Sequence, residues 1–377
     1  MSDSRRVYRA IKQAILQRYP TKPQGQVARH LATLAFMVSG MVLGKSCQLP
    51  KIASKVASDV HPDSRVKQMS RWVQNDHITF DLYFLPFVET VVTTLAAIRP
   101  LVLIMDGSAV ARGCVTLMVS VMYAGRALPM AWLVLEGTKG HFPAETHVAL
   151  LRKVRALIPA TATVIVLGDG EFDSPELQRE VNDTGWHYVC RTAKNIRIQV
   201  GADWLSLEDL AVERGSRVFR KHALFTQAAY GPVMVIAWWD AQYTDPIYLV
   251  SNLTSVQAAC TWYRKRMQIE TFFSDQKSRG FQLDKSHLSD AARVTRLMLA
   301  TCFAYLWVMS LGTAALRDGW QSVIHRRQEP INGQPSLVML KGTLAPDGAV
   351  LKRSAASPAR SISPTPRFSV PLKNMCS

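Results

Sequence analysis

The 377-residue sequence has no Cys-x-x-Cys pair: its six cysteines, Cys47, Cys114, Cys190, Cys260, Cys302 and Cys376, lie far apart. That scatter argues against zinc modules and disulfide frameworks, and it fits a reducing compartment. The nine histidines form no His-Glu-x-x-His and no cluster with cysteine, so neither zinc signature is present. Negative charge is scarce. Asp and Glu number 28 against 45 Lys and Arg, a net +17. Such a surplus points to a polyanionic partner, nucleic acid first and an anionic membrane surface second. No signal peptide is expected, because Met1–Tyr19 is polar, basic and amphipathic. With 48% apolar and 19% charged residues the chain reads as globular, and its length allows two or three domains.

Long uncharged stretches are equally few. Leu297–Leu316 is long enough to span a bilayer without a charge. It carries Thr301, Ser310, Gly312 and Thr313, and it stands alone, since Leu31–Leu43 is too short. It is therefore read as a buried core helix, and no membrane partner is expected.

What is present falls into four regions. Residues 1–98 read as helical: Val7, Tyr8, Ile11, Ile15 and Leu16 recur at helical spacing, and apolar segments follow around 27–43 and 80–98. Between them lie Lys51, Lys55, Arg65, Lys67, Arg71 and Trp72, and the region holds 13 basic and 6 acidic side chains. A basic helical domain of this kind suits docking on DNA phosphates; a solvated helix face is the plainer reading of any single lysine. Arg99-Pro100 closes the region, because the residue before proline leaves the helical basin.

Strands and helices then alternate. Leu101–Met105 is an apolar run stopped by Asp106-Gly107, followed by strands at Cys114–Tyr123 and Ala127–Leu135. A helix is expected at His141–Leu157, a strand at Thr163–Leu167 stopped by Gly168-Asp169, and a helix at Ser174–Asn182 with Ser174 as its N-cap. Trp186–Cys190 is one more strand. This is an α/β pattern: a mixed sheet with flanking helices. Residues 192–247 break the rhythm with short β-prone pieces and read as an insertion. Strand-like Ile247–Val250 and the long helices Thr254–Arg279 and Asp290–Leu316 follow. From Lys341 to Ser377 there are six basic residues and one acid among repeated Ser and Pro, which reads as a basic disordered tail.

Two carboxylates occupy matching places, Asp106 ending LVLIMD and Asp169 ending TVIVLGD. Residues just past strand ends line the ligand crevice of α/β sheets, so two such acids can converge, although an Asp that merely opens a turn looks the same. In the helix Thr254–Arg279, Tyr263, Arg266, Glu270 and Lys277 fall inside an arc of about 60°. Trp262, Ile269 and Phe273 form an adjacent apolar stripe. A surface helix with an Arg266–Glu270 pair is the competing reading. Three carboxylates without His or Cys make a hard-oxygen site suited to Mg2+ or Mn2+. Two such ions can activate a water or 3′-hydroxyl and stabilise the leaving oxygen of a phosphodiester.

Tyr263-x2-Arg266-x3-Glu270-x6-Lys277 resembles the Y-R-E-K signature of insertion-sequence DDE transposases, the insertion-sequence-four group. MDGS around Asp106 and GDGEF around Asp169 resemble that group's two Asp motifs, and the resemblance covers about residues 95–320. It implies a ribonuclease H-like catalytic domain over 99–320 with a β-rich insertion at about 192–247. A helical N-terminal DNA-binding domain would occupy 1–98 and a basic tail 321–377. Asp106, Asp169 and Glu270 would then be catalytic and hold two Mg2+, with Mn2+ able to substitute. Tyr263, Arg266 and Lys277 would contact transposon-end phosphates. Relatives stack an extruded base on an aromatic near the insertion's exit. Tyr248 occupies about that place, with Trp238 or Trp239 as alternatives, and the plainer reading makes all three β-core residues.

The implied activity is cleavage at terminal inverted repeats, through a DNA hairpin, and joining of 3′-hydroxyl ends to target DNA. A homodimer on paired ends in the bacterial cytosol is implied with it. The alternative is a decayed transposase that only binds inverted repeats. His141 and His147 flank a helix start and are read as satisfied or exposed histidines rather than ligands. Glu136 and Glu171 are spare acids, with Glu171 expected to point away from the site. Arg191 and Lys194 either face DNA or form a solvated rim.

Overall fold

The computed structural model describes residues 3–137 and 142–319, so His141, Cys376 and the tail expected at 321–377 lie outside the described residues. Six helices come first: α1 (Asp3–Leu16), α2 (Gly25–Gly44), α3 (Leu49–Lys55), α4 (Pro62–Gln74), α5 (Phe80–Tyr83) and α6 (Leu85–Ala96). Apolar side chains recur every three or four residues along α2, and Leu31, Leu34, Met37, Val38 and Met41 are all buried. These helices share one continuous core with the rest of the chain.

The sheet begins with three antiparallel strands, β1 (Leu101–Ala111), β2 (Cys114–Tyr123) and β3 (Arg126–Glu136). Helix α7 (Ala144–Arg155) leads to β4 (Val164–Gly168), and α8 (Pro175–Asp183) leads to β5 (His187–Thr192). Both β4 and β5 are parallel to β1. As expected, the Ser174 hydroxyl caps α8 by accepting the Leu177 N–H at 3.2 Å.

The remaining strands are β6 (Arg197–Val200), β7 (Asp203–Ser206), β8 (Arg217–Phe225), β9 (Tyr230–Trp238) and β10 (Ile247–Ser251). They continue the same sheet, whose ten strands run β3-β2-β1-β4-β5-β10-β9-β8-β6-β7. The β-rich pieces of 192–247 are therefore an extension rather than a separate unit. Strand β10 pairs with β5 on one edge and β9 on the other, which satisfies the backbone groups of both.

Two expectations are corrected. Strand β1 is not stopped by Asp106-Gly107 but runs on to Ala111, because β2 keeps pairing with it, Asp106 opposite Met118 and Ser108 opposite Thr116. The helix expected over Thr254–Arg279 is three pieces: α9 (Val256–Tyr263), a 3-10 turn (Arg264–Met267) and α10 (Gln268–Gln276). The final helix, α11 (Ala291–Arg317), is capped by Asp290, whose carboxylate accepts the Arg293 N–H at 2.7 Å. By length and composition α2 and α11 could each cross a membrane. Here α11 is packed inside the protein, with Val294, Leu297, Met298, Phe303 and Leu306 buried.

Candidate active site

Strands β1 and β4 are neighbours in parallel register, Ile104 opposite Leu167. Two residues further along each chain stand Asp106 and Asp169, so the sheet itself carries two carboxylates to the same level across adjacent strands. Beyond Gly168 strand β4 ends in a tight turn. A Cβ at Gly168 would lie 2.4 Å from Phe172 Cβ, so only glycine admits this turn without a shift. Within it the Phe172 N–H donates to the Asp169 carbonyl at 3.1 Å, and the Glu171 N–H donates to Asp169 Oδ1 at 3.0 Å. The Gly107 N–H donates to Asp106 Oδ1 at 2.8 Å.

The third carboxylate arrives on α10. Arg266, buried in the 3-10 turn, places one guanidinium nitrogen 3.5 Å from Asp106 Oδ2 and another 2.9 Å from Glu270 Oε1. One planar cation thus bridges the sheet acid and the helix acid, a geometry suited to the fixed fork of arginine. Burial alone would lower the Arg266 value, but Tyr263, Asp106, Asp169 and Glu270 together raise it. Burial pushes the Asp106 carboxyl up to about 7, with Arg266 opposing and the charges of Asp169 and Glu270 adding to the rise. The Tyr263 phenol, also buried, is pushed up to about 12 against the opposing charge of Arg266.

The arc expected for one continuous helix does not apply, because the 3-10 turn winds more tightly than α-helix. Tyr263, Arg266 and Glu270 nevertheless gather on the acid side. Lys277 follows α10 with backbone angles outside the helical range, and its Nζ lies 2.6 Å from Ser108 Oγ. Ser108 is two residues past Asp106 on the same face of β1. The sequence reading did not include Ser108; the period of two from Asp106 was the signal for it.

Beside the acids opens a cleft of about 420 Å³ lined by Asp169, Arg191, Lys194, Asp245, Tyr248 and Arg266. Arg191 lies within β5 rather than past it, and Lys194 pairs with Glu208 at 3.3 Å. Tyr248, though largely buried in β10, borders this cleft. Trp238 is buried, with the guanidinium groups of Arg217 and Arg264 at 5.6 and 4.9 Å from its ring centre. Trp239 is half-buried, and its indole N–H donates to the Tyr243 carbonyl at 3.3 Å. His147 is buried between Phe142 and Phe172. Glu136 is exposed at the end of β3, and the Glu171 carboxylate accepts the Phe142 N–H at 2.7 Å.

Among the described residues no three His, Cys, Asp or Glu side chains stand close enough to hold a metal ion as placed. Asp106 and Glu270 are instead drawn onto Arg266. The donor set still suits a hard divalent cation, being all carboxylate oxygen.

Hard-oxygen donors of this kind on a strongly basic chain suit the handling of phosphodiesters. The family is shown by the sequence itself: residues 99–307, more than half of the chain, match the transposase DDE domain, and the chain belongs to that family. No curated protein matches the sequence. Among solved structures, a piggyBac transposase synaptic complex with hairpin DNA, determined by cryo-EM, is similar at a TM-score of 0.48 and 11% identity, over 91% of this chain and 79% of that one. Human ENDOV is similar at a TM-score of 0.25 and 14% identity, over 54% of this chain and 86% of that one.

Proposed function

We propose that this chain is a DNA transposase of the insertion-sequence-four group, cutting at its terminal inverted repeats and joining the 3′-hydroxyl ends to target DNA. The observation that carries this reading is the meeting of Asp106 and Glu270 on Arg266, with Asp169 just past the end of the neighbouring strand, inside the matched domain. Three antiparallel strands, then two parallel ones each reached through a helix, support a ribonuclease H-like core. Asp106, Asp169 and Glu270 would hold two Mg2+, with Mn2+ able to substitute. Such ions, when bound, activate a water or 3′-hydroxyl and stabilise the leaving oxygen.

The chain's own side chains bind and align. Arg266, Tyr263 and Lys277 sit where end phosphates would pass, and the basic helices of 1–98 hold duplex phosphates further out. Tyr248, which borders the cleft with Arg191 and Lys194, is placed ahead of Trp239 or Trp238 as the residue that would stack an extruded base, and such stacking would go with the hairpin route. Paired ends call for a homodimer on DNA, working in the bacterial cytosol.

The test is cleavage of a labelled inverted-repeat duplex, with gel-shift affinity measured alongside. Glu270→Gln keeps the shape but removes a charge the ions need, so cleavage collapses while binding survives. A parent chain that binds the repeat but never cuts would establish the binding-only alternative. A Glu270→Gln protein that cuts like the parent would remove Glu270 from the chemistry.

A further inference from the structure

We propose that Glu171 is a positioning residue for the two sheet carboxylates, acting through Phe142; this rests on the metal-dependent reading above. Glu171 belongs to the turn after β4, and its side chain is largely buried, 17% exposed. Its backbone N–H donates to Asp169 Oδ1 at 3.0 Å, while its Oε1 accepts the Phe142 N–H at 2.7 Å. One residue therefore ties the Asp169 carboxylate to the connection that enters α7.

Phe142 carries the tie across to the other acid. Its ring is packed so closely on Gly107 that a Cβ there would lie 3.0 Å from Phe142 Cε2. Gly107 is the residue whose N–H holds Asp106 Oδ1. A continuous path results: Asp169, Glu171, Phe142, Gly107, Asp106. His147 backs it from α7, 1% exposed, its ring centre 4.7 Å from that of Phe172 and its Nε2 3.5 Å from Glu171 Oε1.

The sheet register fixes only the backbone spacing of Asp106 and Asp169; each carboxylate is oriented by the N–H it accepts, that of Gly107 within β1 and that of Glu171 in the turn after β4. The Glu171 carboxylate joins the turn after β4 to Phe142, and the Phe142 ring carries the contact on to Gly107 in β1. Glu171 Oε1 is engaged with the Phe142 N–H, which gives the side chain a part in ligand placement. Partners that orient metal ligands commonly alter metal affinity by about ten- to a hundredfold when removed. Glutamine keeps an oxygen acceptor of the same reach, whereas alanine leaves the Phe142 N–H without its partner.

The experiment titrates Mn2+ alone into the full chain by calorimetry, and follows cleavage of the inverted-repeat duplex against Mn2+ concentration. Glu171→Ala is expected to weaken Mn2+ binding about tenfold or more, and to shift the cleavage midpoint to higher Mn2+, with activity recovered at saturation. Glu171→Gln is expected to stay within about threefold of the parent, since its acceptor is retained. Phe142→Ala keeps the hydrogen bond but frees Gly107, and is expected to lose Mn2+ affinity as well. It serves where Glu171→Ala fails to fold. Parent-like Mn2+ affinity in Glu171→Ala or Phe142→Ala would overturn the proposal. So would a Glu171→Gln protein as impaired as Glu171→Ala, since the charge would then be what matters. A parent chain that neither binds Mn2+ nor cuts would instead overturn the metal-dependent reading itself.

Discussion

Replacing Asp106 by Asn should make the metal-free protein more stable, and increasingly so as pH rises. The Asp106 side chain is 13% exposed, so bulk water screens it little. Burial, reinforced by the charges of Asp169 and Glu270, lifts its carboxyl from 3.8 to about 7 despite Arg266. The folded state therefore keeps a proton that the unfolded chain has already released. The contribution of this group to stability is highest below about pH 4, declines as pH rises toward 7, and is level above it, a loss of about 4 kcal/mol in all. Asn carries no titrating proton, so this slope is absent in the variant. The assay is denaturant unfolding of parent and Asp106→Asn at pH 5, 6, 7 and 8, with a chelator present throughout. The stability difference should grow in favour of the variant by about 2 kcal/mol from pH 5 to pH 7 and then level off. Titrating groups that do not interact with Asp106 cancel in the difference. A gap that is constant with pH, or that closes as pH rises, would refute the claim that Asp106 is held in an environment hostile to its charge.

Two further outcomes follow from the same geometry. Gly168→Ala forces its Cβ onto buried Phe172, so it should cost about 1–3 kcal/mol in denaturant unfolding, whereas Gly170→Ala, with open space around it, should stay within about 0.5 kcal/mol. Affinity for duplex DNA should fall linearly on a log–log plot against salt, each phosphate contact adding about −0.9 to the slope; a flat plot would mean that the +17 charge serves another partner.

Much of the sheet was legible because its strands are apolar runs between turn residues. Cys114–Tyr123 was bounded to the residue, and Ser174 was placed as a cap by chemistry that is local. The two sheet acids were legible for the same reason, since each follows an unbroken apolar run. What escaped the sequence reading was decided by distant partners. Strand β1 continues past Asp106 because β2 holds it, and no local signal marks that. The break at Arg264–Met267 lies in a stretch with good helical composition, and it occurs where Arg266 turns to meet Asp106 from 160 residues away. Pieces of 192–247 read as strands, but nothing in a short alternating run says which edge it joins. Phe142 was invisible as a site residue because its contribution is a backbone N–H and a ring contact, and neither has a sequence signature.

The placement of β10 between β5 and β9 has a consequence for how the protein is made. When β5 has left the ribosome its outer edge is a strand with unpaired backbone groups. Its permanent neighbour begins 55 residues later, at Ile247. At ordinary rates of synthesis, about 5–20 residues per second, that edge stays open for about 3–11 s. The intervening hairpins can pair among themselves meanwhile, but they cannot cover it, since their own link to β5 runs through β10. Nascent chains are thus most prone to stick to one another in this interval, and Glu270 emerges only after it has ended.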